Sequence, residues 1–266
     1  EQQLSGITIS QYLIALKKVL NQALSQELIS QLPYFPKVTS KSIPRGGFTL
    51  EEYRLLLQTA KKLARVEDAK KPITHRNIRE GIFTVTDSLP YEFAWLIGFM
   101  VNSFVRPVDI KLIQHKHVQV VRNDNRVYLR LTLPETKRHK AKIVTLRPAV
   151  RIYEHLKNYM DPLGYGGNDD YLFLPHIKDR EAAIYIIGKE FRRLLEYTGL
   201  RKGNLGQNRT IYSLRHTSIT FRLLYGQGID LLTLARNART SVEMIDRFYA
   251  SELSAEMNID MLQSRR

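Results

Sequence analysis

Four side chains spread through the sequence, Arg106, Lys137, Arg215 and Tyr249, form a set that could work on a phosphate ester. A guanidinium grips a phosphate through two parallel N–H···O bonds. The phosphate gains negative charge when an oxygen attacks it, so two fixed arginines favour the attacked state over the resting one. A lysine between two expected strands and a late tyrosine complete an unusual set. Such a set would transfer a phosphoryl group without a metal. The chain has no Cys, which excludes thiolate nucleophiles, disulfide frameworks and Cys-ligated zinc. His115 and His117 alternate on an expected strand without a third ligand in register, so they read as surface residues and no metal is expected. The loop DPLGYGGNDD lacks the glycine spacing of a dinucleotide or P-loop site, and no cofactor is expected.

Helices and one small sheet must position this set. YEFAWLIGFMVNSF, residues 91–104, is apolar nearly all round and predicts a buried helix leading straight to Arg106. VDIKLIQ predicts a short helix after it. HVQVV, RVYLRLTL and AKIVTL alternate or run in β-branched residues; RNDNR turns between the first two, and PETKRHK, which carries Lys137, precedes the last. From Pro148 the pattern returns to helix in AVRIYEHLKNYM, AAIYIIGKEFRRLLEYTG and IYSLRHTSITFRLLYG, followed by shorter pieces. The expected fold is mainly α with a small three-stranded antiparallel sheet (α+β). Arg215 falls among Leu214, Ile219, Leu223 and Leu224, on a largely buried helix. Taken alone, Tyr249 is a packing residue anchored by Met244, Ile245 and Phe248; only its company argues for a chemical role.

At the N-terminal end, apolar residues at Ile9, Tyr12, Leu13, Leu16, Val19, Leu20, Ala23 and Leu24 predict a helix from about Thr8 to Leu28. Residues 1–38 are expected to be the C-terminal part of a separate helical domain; a helix packed on the main domain is the other reading. Residues 39–47, rich in Pro, Gly, Ser and basic side chains, predict a linker, and 48–266 the main domain. Thr49 is placed to cap a helix whose first turn holds Glu51 and Glu52. Residues 67–88 are polar and irregular and receive no function.

The 266 residues carry a net charge of +15. Between 106 and 151 there are twelve Lys or Arg against the three acids Asp109, Asp124 and Glu135; between 199 and 222 there are five basic residues and no acid. Self-repulsion of that size is costly unless a polyanion offsets it, and nucleic acid is the first candidate. Residues 243–260 instead hold five acids against Arg247 and are expected to dock on protein. No apolar run reaches bilayer length, and the start has neither the basic nor the apolar region of a secretory signal, so no membrane partner and no export are expected.

R-P-V-D at 106–109, T-K at 136–137, S-L-R-H-T at 213–217 and T-S-V-E-M-I-D-R-F-Y at 240–249 together resemble the ordered boxes of the tyrosine recombinase (phage integrase) family, over roughly residues 45–250. The N-terminal helix and linker resemble the end of that family's core-binding domain, which with the catalytic domain forms a clamp around double-stranded DNA. The resemblance implies a site-specific recombinase of a bacterial or phage mobile element, cytoplasmic and nucleoid-associated when bound. In it, Arg106 and Arg215 hold the scissile phosphate and Asp109 supports Arg106 from behind. Lys137 protonates the departing 5′ oxygen, and Tyr249 attacks phosphorus to leave a 3′-phosphotyrosyl bond, with no ATP and no metal. It further implies a monomer free in solution that assembles as a homo-oligomer, a tetramer, on paired sites. An accessory DNA-bending protein is a possible further partner, and a C-terminal tail helix would be exchanged between protomers.

Two positions depart from the family pattern. The His or Lys three residues before the second arginine is Tyr212, and the His or Trp nine residues before the nucleophile is Thr240. Each can donate a hydrogen bond to phosphate, but a phenol with a reference pKa of about 10 is a poor neutral-pH base. His216, about 100° round the helix from Arg215, reads as a core or supporting residue rather than a substitute base. Two further readings therefore stay open: a non-catalytic architectural or regulatory DNA-binding protein on the same fold, and a relaxing enzyme of the type IB topoisomerase kind.

Overall fold

The computed structural model describes residues 4–38, 46–64, 89–123, 125–134, 142–204, 206–226 and 228–249. The chain divides into two compact units, Glu1–Pro44 and Arg45–Arg266. Lys137, the whole 67–88 segment and the expected tail helix beyond Tyr249 lie outside the described residues.

In the first unit, α1 (Gly6–Ser25) starts where Ser5 Oγ accepts the N–H of Thr8 at 3.2 Å. It stops three residues short of the expected Leu28 because Glu27 turns left-handed, φ 57°, and the N–H of Leu28 reaches back to the carbonyl of Ala23. The helix has no buried residue, and apolar Tyr12 and Val19 are 63% and 66% exposed.

The second unit opens with α2 (Leu50–Leu63). Thr49 and Glu52 satisfy each other's backbone N–H in a capping box, and Leu56, Ala60 and Leu63 recur at helical spacing on the buried face. At its centre lies α3 (Phe93–Ser103), whose Phe93, Leu96, Ile97, Phe99 and Met100 are at most 2% exposed. Its near-uniform apolarity suits an element covered on several sides: α3 packs against α2, α5 (Pro148–Met160) and α7 (Tyr212–Tyr225). Gly98 permits the close approach of α5, since a Cβ there would meet Ile152 Cδ1 at 3.0 Å. After the short α4 (Pro107–Leu112) comes the antiparallel sheet, in order β1 (Val118–Asn123), β2 (Arg126–Leu131) and β3 (Ile143–Val144). The register pairs Val121 with Tyr128 and Leu131 with Ile143, which places Leu129 and Leu131 in the core. The chain continues through α6 (Arg180–Tyr197), α7, α8 (Leu231–Asn237) and α9 (Val242–Tyr249). The mainly helical architecture with one small antiparallel sheet is the one expected, although β3 is shorter than AKIVTL suggested.

The two histidines correct the sequence reading. They do not alternate on a strand but occupy a 3-10 turn, His115–His117, just before β1. His115 is buried, with Nδ1 3.1 Å from the Tyr153 hydroxyl, and burial lowers its pKa. His117 Nδ1 accepts the N–H of Gln114 at 3.0 Å, so its ring closes the turn. Both are packing residues, one of them in the core. Among the described residues no helix is long and apolar enough to cross a membrane.

Candidate functional site

Arg106 stands at a forced corner. Helix α3 ends at Phe104, which adopts a left-handed φ of 58° without being glycine. Three residues later Pro107 occupies the first turn of α4, where its missing N–H costs nothing. Asp109, 2% exposed, accepts the Arg106 backbone N–H through Oδ2 at 2.8 Å. This carboxylate therefore anchors the main chain of Arg106. The guanidinium does not cap the carbonyls at the end of α3; its Nη2 donates to the backbone carbonyl of Arg239. Its Nη1 is buried and has no hydrogen-bond partner among the described residues, which leaves one charged donor able to take an anion.

Arg215 lies on the buried face of α7, where Ser213 through Ile219 are all buried. That helix is pinned to the start of the unit. Thr217 Oγ1 accepts the Phe48 N–H at 2.9 Å, and Gly47 is where α7 comes closest, a Cβ there meeting the Thr217 N at 3.1 Å. Arg209, just upstream, grips Glu52 through two bonds of 2.8 and 2.9 Å and stacks over Phe48. Arg215 itself, 3% exposed, donates from Nη1 to the carbonyl of Phe104 and from Nη2 to that of Ala238. Burial lowers its pKa; the phenols of Tyr212 and Tyr249 and the Asp109 carboxylate act to raise it, and Arg106 to lower it further. Arg106, Asp109, Tyr212 and Tyr249 thus all lie within electrostatic reach of Arg215.

The turn after α8 joins the parts. Asn237 holds the free edge of β3, its Oδ1 accepting the Val144 N–H at 2.8 Å and its Nδ2 donating to the Val144 carbonyl at 2.9 Å. The next two carbonyls, of Ala238 and Arg239, receive Arg215 and Arg106. Arg239 is left-handed, φ 53°, a conformation that costs a non-glycine residue about 1–2 kcal/mol. Its side chain, 1% exposed, places Nη1 3.2 Å from Asp109 Oδ1, whose side chain is also 1% exposed. Thr240 follows, half-buried, with its N–H bonded to the Ala235 carbonyl at 2.9 Å.

Tyr249 arrives at the end of α9, anchored by buried Ile245 and by Phe248 packed against the core. It is 6% exposed. Its ring centroid lies 5.2 Å from that of His216, which in turn lies 5.2 Å from Tyr212 in the first turn of α7. Burial pushes the Tyr249 phenol above its ordinary pKa, Arg215 pulls it down and Tyr212 pushes it up.

The structure thus brings Arg106, Asp109, Tyr212, Arg215, His216 and Tyr249 together, and Thr240 adjoins the carbonyl that holds Arg106. His216 is closer to the chemistry than the sequence suggested, since its ring contacts the candidate nucleophile. Sequence reasoning passed over Asn237 and Arg239. The only available signal was the polar pair of NART following an amphipathic turn, and exposed segments offer many such pairs. Chemically, two fixed guanidiniums beside a buried phenol can hold a phosphodiester and attack it.

By sequence, the chain matches no family model and no curated protein. Its fold does match solved structures. The Tn1549 transposon integrase in complex with transposon right end DNA superposes with a TM-score of 0.61 at 16% identity, over 98% of this chain and 79% of that one. The XerH site-specific recombinase bound to difH substrate gives 0.51 at 16% identity, over 98% and 72%. A lambda integrase dimer bound to a COC′ core site gives 0.55 at 14% identity, over 93% and 80%. The fold is that of the tyrosine recombinases.

Proposed function

We propose that this chain is a tyrosine recombinase: an enzyme that cleaves and rejoins double-stranded DNA at specific sites through a 3′-phosphotyrosyl intermediate. The observation that carries the reading is the convergence of Arg106, Arg215 and Tyr249 from three separate elements, on a fold whose solved examples include integrases and recombinases bound to DNA. The net charge of +15 supports a polyanionic partner.

In this reading Arg106 and Arg215 donate to the two non-bridging oxygens of the scissile phosphate, and Arg106 Nη1, which has no hydrogen-bond partner among the described residues, is available for the task. The Tyr249 hydroxyl loses its proton and forms the O–P bond; the P–O5′ bond breaks, and the 5′ oxygen gains a proton, for which Lys137 is the proposed donor. The phosphoester energy stays in the phosphotyrosyl link, so a second strand's 5′ hydroxyl reverses the step without ATP or a metal. The first unit, with α1, would contribute further contacts to DNA. Monomers would assemble as a tetramer on paired sites.

One observation favours a second reading. Neither Tyr212 nor Thr240 is a neutral-pH base, and burial holds the proton on Tyr249. A DNA-binding protein that has lost its chemistry would look the same. Trapping separates the two: the protein and its Tyr249→Phe variant are mixed with a pool of nicked duplexes of random sequence, denatured, and assayed for protein covalently attached to DNA. Adduct from the parent alone establishes the enzyme, and binding without adduct establishes the binding protein.

A further inference from the structure

We propose that Arg239 is a positioning residue that sets the spacing and aim of both phosphate-binding arginines. The inference rests on the strand-cleavage reading and adds a residue to it. Asn237 and the carbonyls of Ala238 and Arg239 each tie the turn at 237–239 to a different part of the site. Asn237 holds β3. The Ala238 carbonyl takes Arg215, and the Arg239 carbonyl takes Arg106.

Those two carbonyls are consecutive, so their directions depend on the backbone torsions between them. At φ 53° the Arg239 backbone occupies a region that an L side chain ordinarily avoids, and something must hold it there. The holder is Asp109, whose carboxylate meets the Arg239 guanidinium at 3.2 Å with both side chains 1% exposed. Asp109 also takes the main-chain N–H of Arg106 at 2.8 Å. A closed ring results: the Arg106 main chain to Asp109, Asp109 to the Arg239 side chain, and the Arg239 carbonyl back to the Arg106 guanidinium. A guanidinium held by a fixed carbonyl needs no reorganisation when charge develops on phosphate, which is where fixed donors gain most. Arg239 touches no reacting atom in this scheme; it acts through Arg106 and, one carbonyl earlier, through Arg215.

Glycine at 239 makes an informative test, because it adopts the left-handed turn at no steric cost and removes only the side chain. Arg239→Gly and Arg239→Lys are compared with the parent in two measurements. The first is side-chain 15N NMR of the arginines, assigned through Arg106→Lys and Arg215→Lys; the parent should show slowly rotating, protected Nη groups for Arg106, lost in Arg239→Gly and partly regained in Arg239→Lys. The second is single-turnover cleavage of a nicked duplex at saturating DNA. It should fall at least about 100-fold in Arg239→Gly and recover about tenfold in Arg239→Lys, with DNA affinity within roughly threefold of the parent throughout. Arg106 signals that are unprotected in the parent, or unchanged by Arg239→Gly, overturn the proposal whatever the rates. So does an altered Arg106 signal with parental cleavage at saturating DNA. If the parent forms no adduct, the enzymatic reading fails, and the NMR comparison alone decides whether Arg239 positions Arg106.

Discussion

The imidazole of His216 lies against the phenol of Tyr249, centroids 5.2 Å apart and planes tilted by 44°, while its other flank meets Tyr212. This contact puts an imidazole beside the proposed nucleophile, which burial keeps protonated, in a site where positions 212 and 240 offer no base. His216→Phe keeps a ring in the stack and removes the nitrogens. If imidazole helps remove the proton, cleavage should fall about 10–100-fold near pH 7 and the deficit should narrow as hydroxide takes over near about pH 10. An equal deficit at every pH would assign His216 to packing alone.

Tyr249 also links stability to pH. Its phenol pKa is raised by burial, as are those of Tyr53 and Tyr153, both pushed up to about 12. A group whose pKa is higher in the folded chain than in the unfolded one stabilises fully below its unfolded pKa, about 10 for tyrosine, and loses that contribution as pH rises through the folded value. Urea unfolding should therefore weaken from about pH 9 upward, and Tyr249→Phe should show the shallower decline, since one such proton is gone. Parallel declines for the two proteins would mean that Tyr249 titrates as an exposed phenol does.

Arg215 holds two backbone carbonyls that have no other donor among the described residues. Arg215→Met leaves those of Phe104 and Ala238 buried and unpaired, at about 1–3 kcal/mol each, so chemical denaturation should register a loss of about 2–6 kcal/mol. Arg215→Lys keeps the charge but cannot serve two carbonyls and a phosphate oxygen at once, and cleavage should drop at least about 100-fold. Wild-type cleavage in the lysine variant would remove Arg215 from the phosphate site.

Glu52 answers to two partners, completing the cap of α2 with Thr49 and receiving both Nη atoms of buried Arg209. Glu52→Ala strands that guanidinium and should cost about 2–4 kcal/mol by urea denaturation, against about 1 kcal/mol for Thr49→Ala, which loses the cap alone. Equal losses would show the ion pair to be idle.

On β2, Arg126, Tyr128 and Arg130 alternate onto one face, with exposed Arg126 at the hairpin end. If that face meets DNA, Arg126→Ala should reduce the slope of log affinity against log salt by about one. Arg122 is paired with Glu154, so Arg122→Ala should change it less. Titration in several salt concentrations distinguishes the two; identical slopes would move the DNA contact elsewhere.

The fold was largely legible because its signals are local. The uniform apolarity of 93–103, the Thr49 cap with acids in the first turn and the β-branched runs around RNDNR each express a backbone preference that the surrounding chain reinforces. The histidines were misread for the same reason: alternation over three residues cannot distinguish a strand from a 3-10 turn, and burial against Tyr153 decided it.

The sequence by itself determined the class of fold, the charge and the candidate chemistry, since residue types, periodicity and order are all written along one dimension. Tertiary structure alone decided how the site is held. Asp109 and Arg239 stand 130 residues apart, and neither the ion pair between them nor the two carbonyls that take Arg215 and Arg106 leave any trace in local composition. Backbone carbonyls are present at every residue, so which of them face a guanidinium depends on where the folded chain turns left-handed, at Phe104 and Arg239, and on which side chains are buried nearby to hold it there.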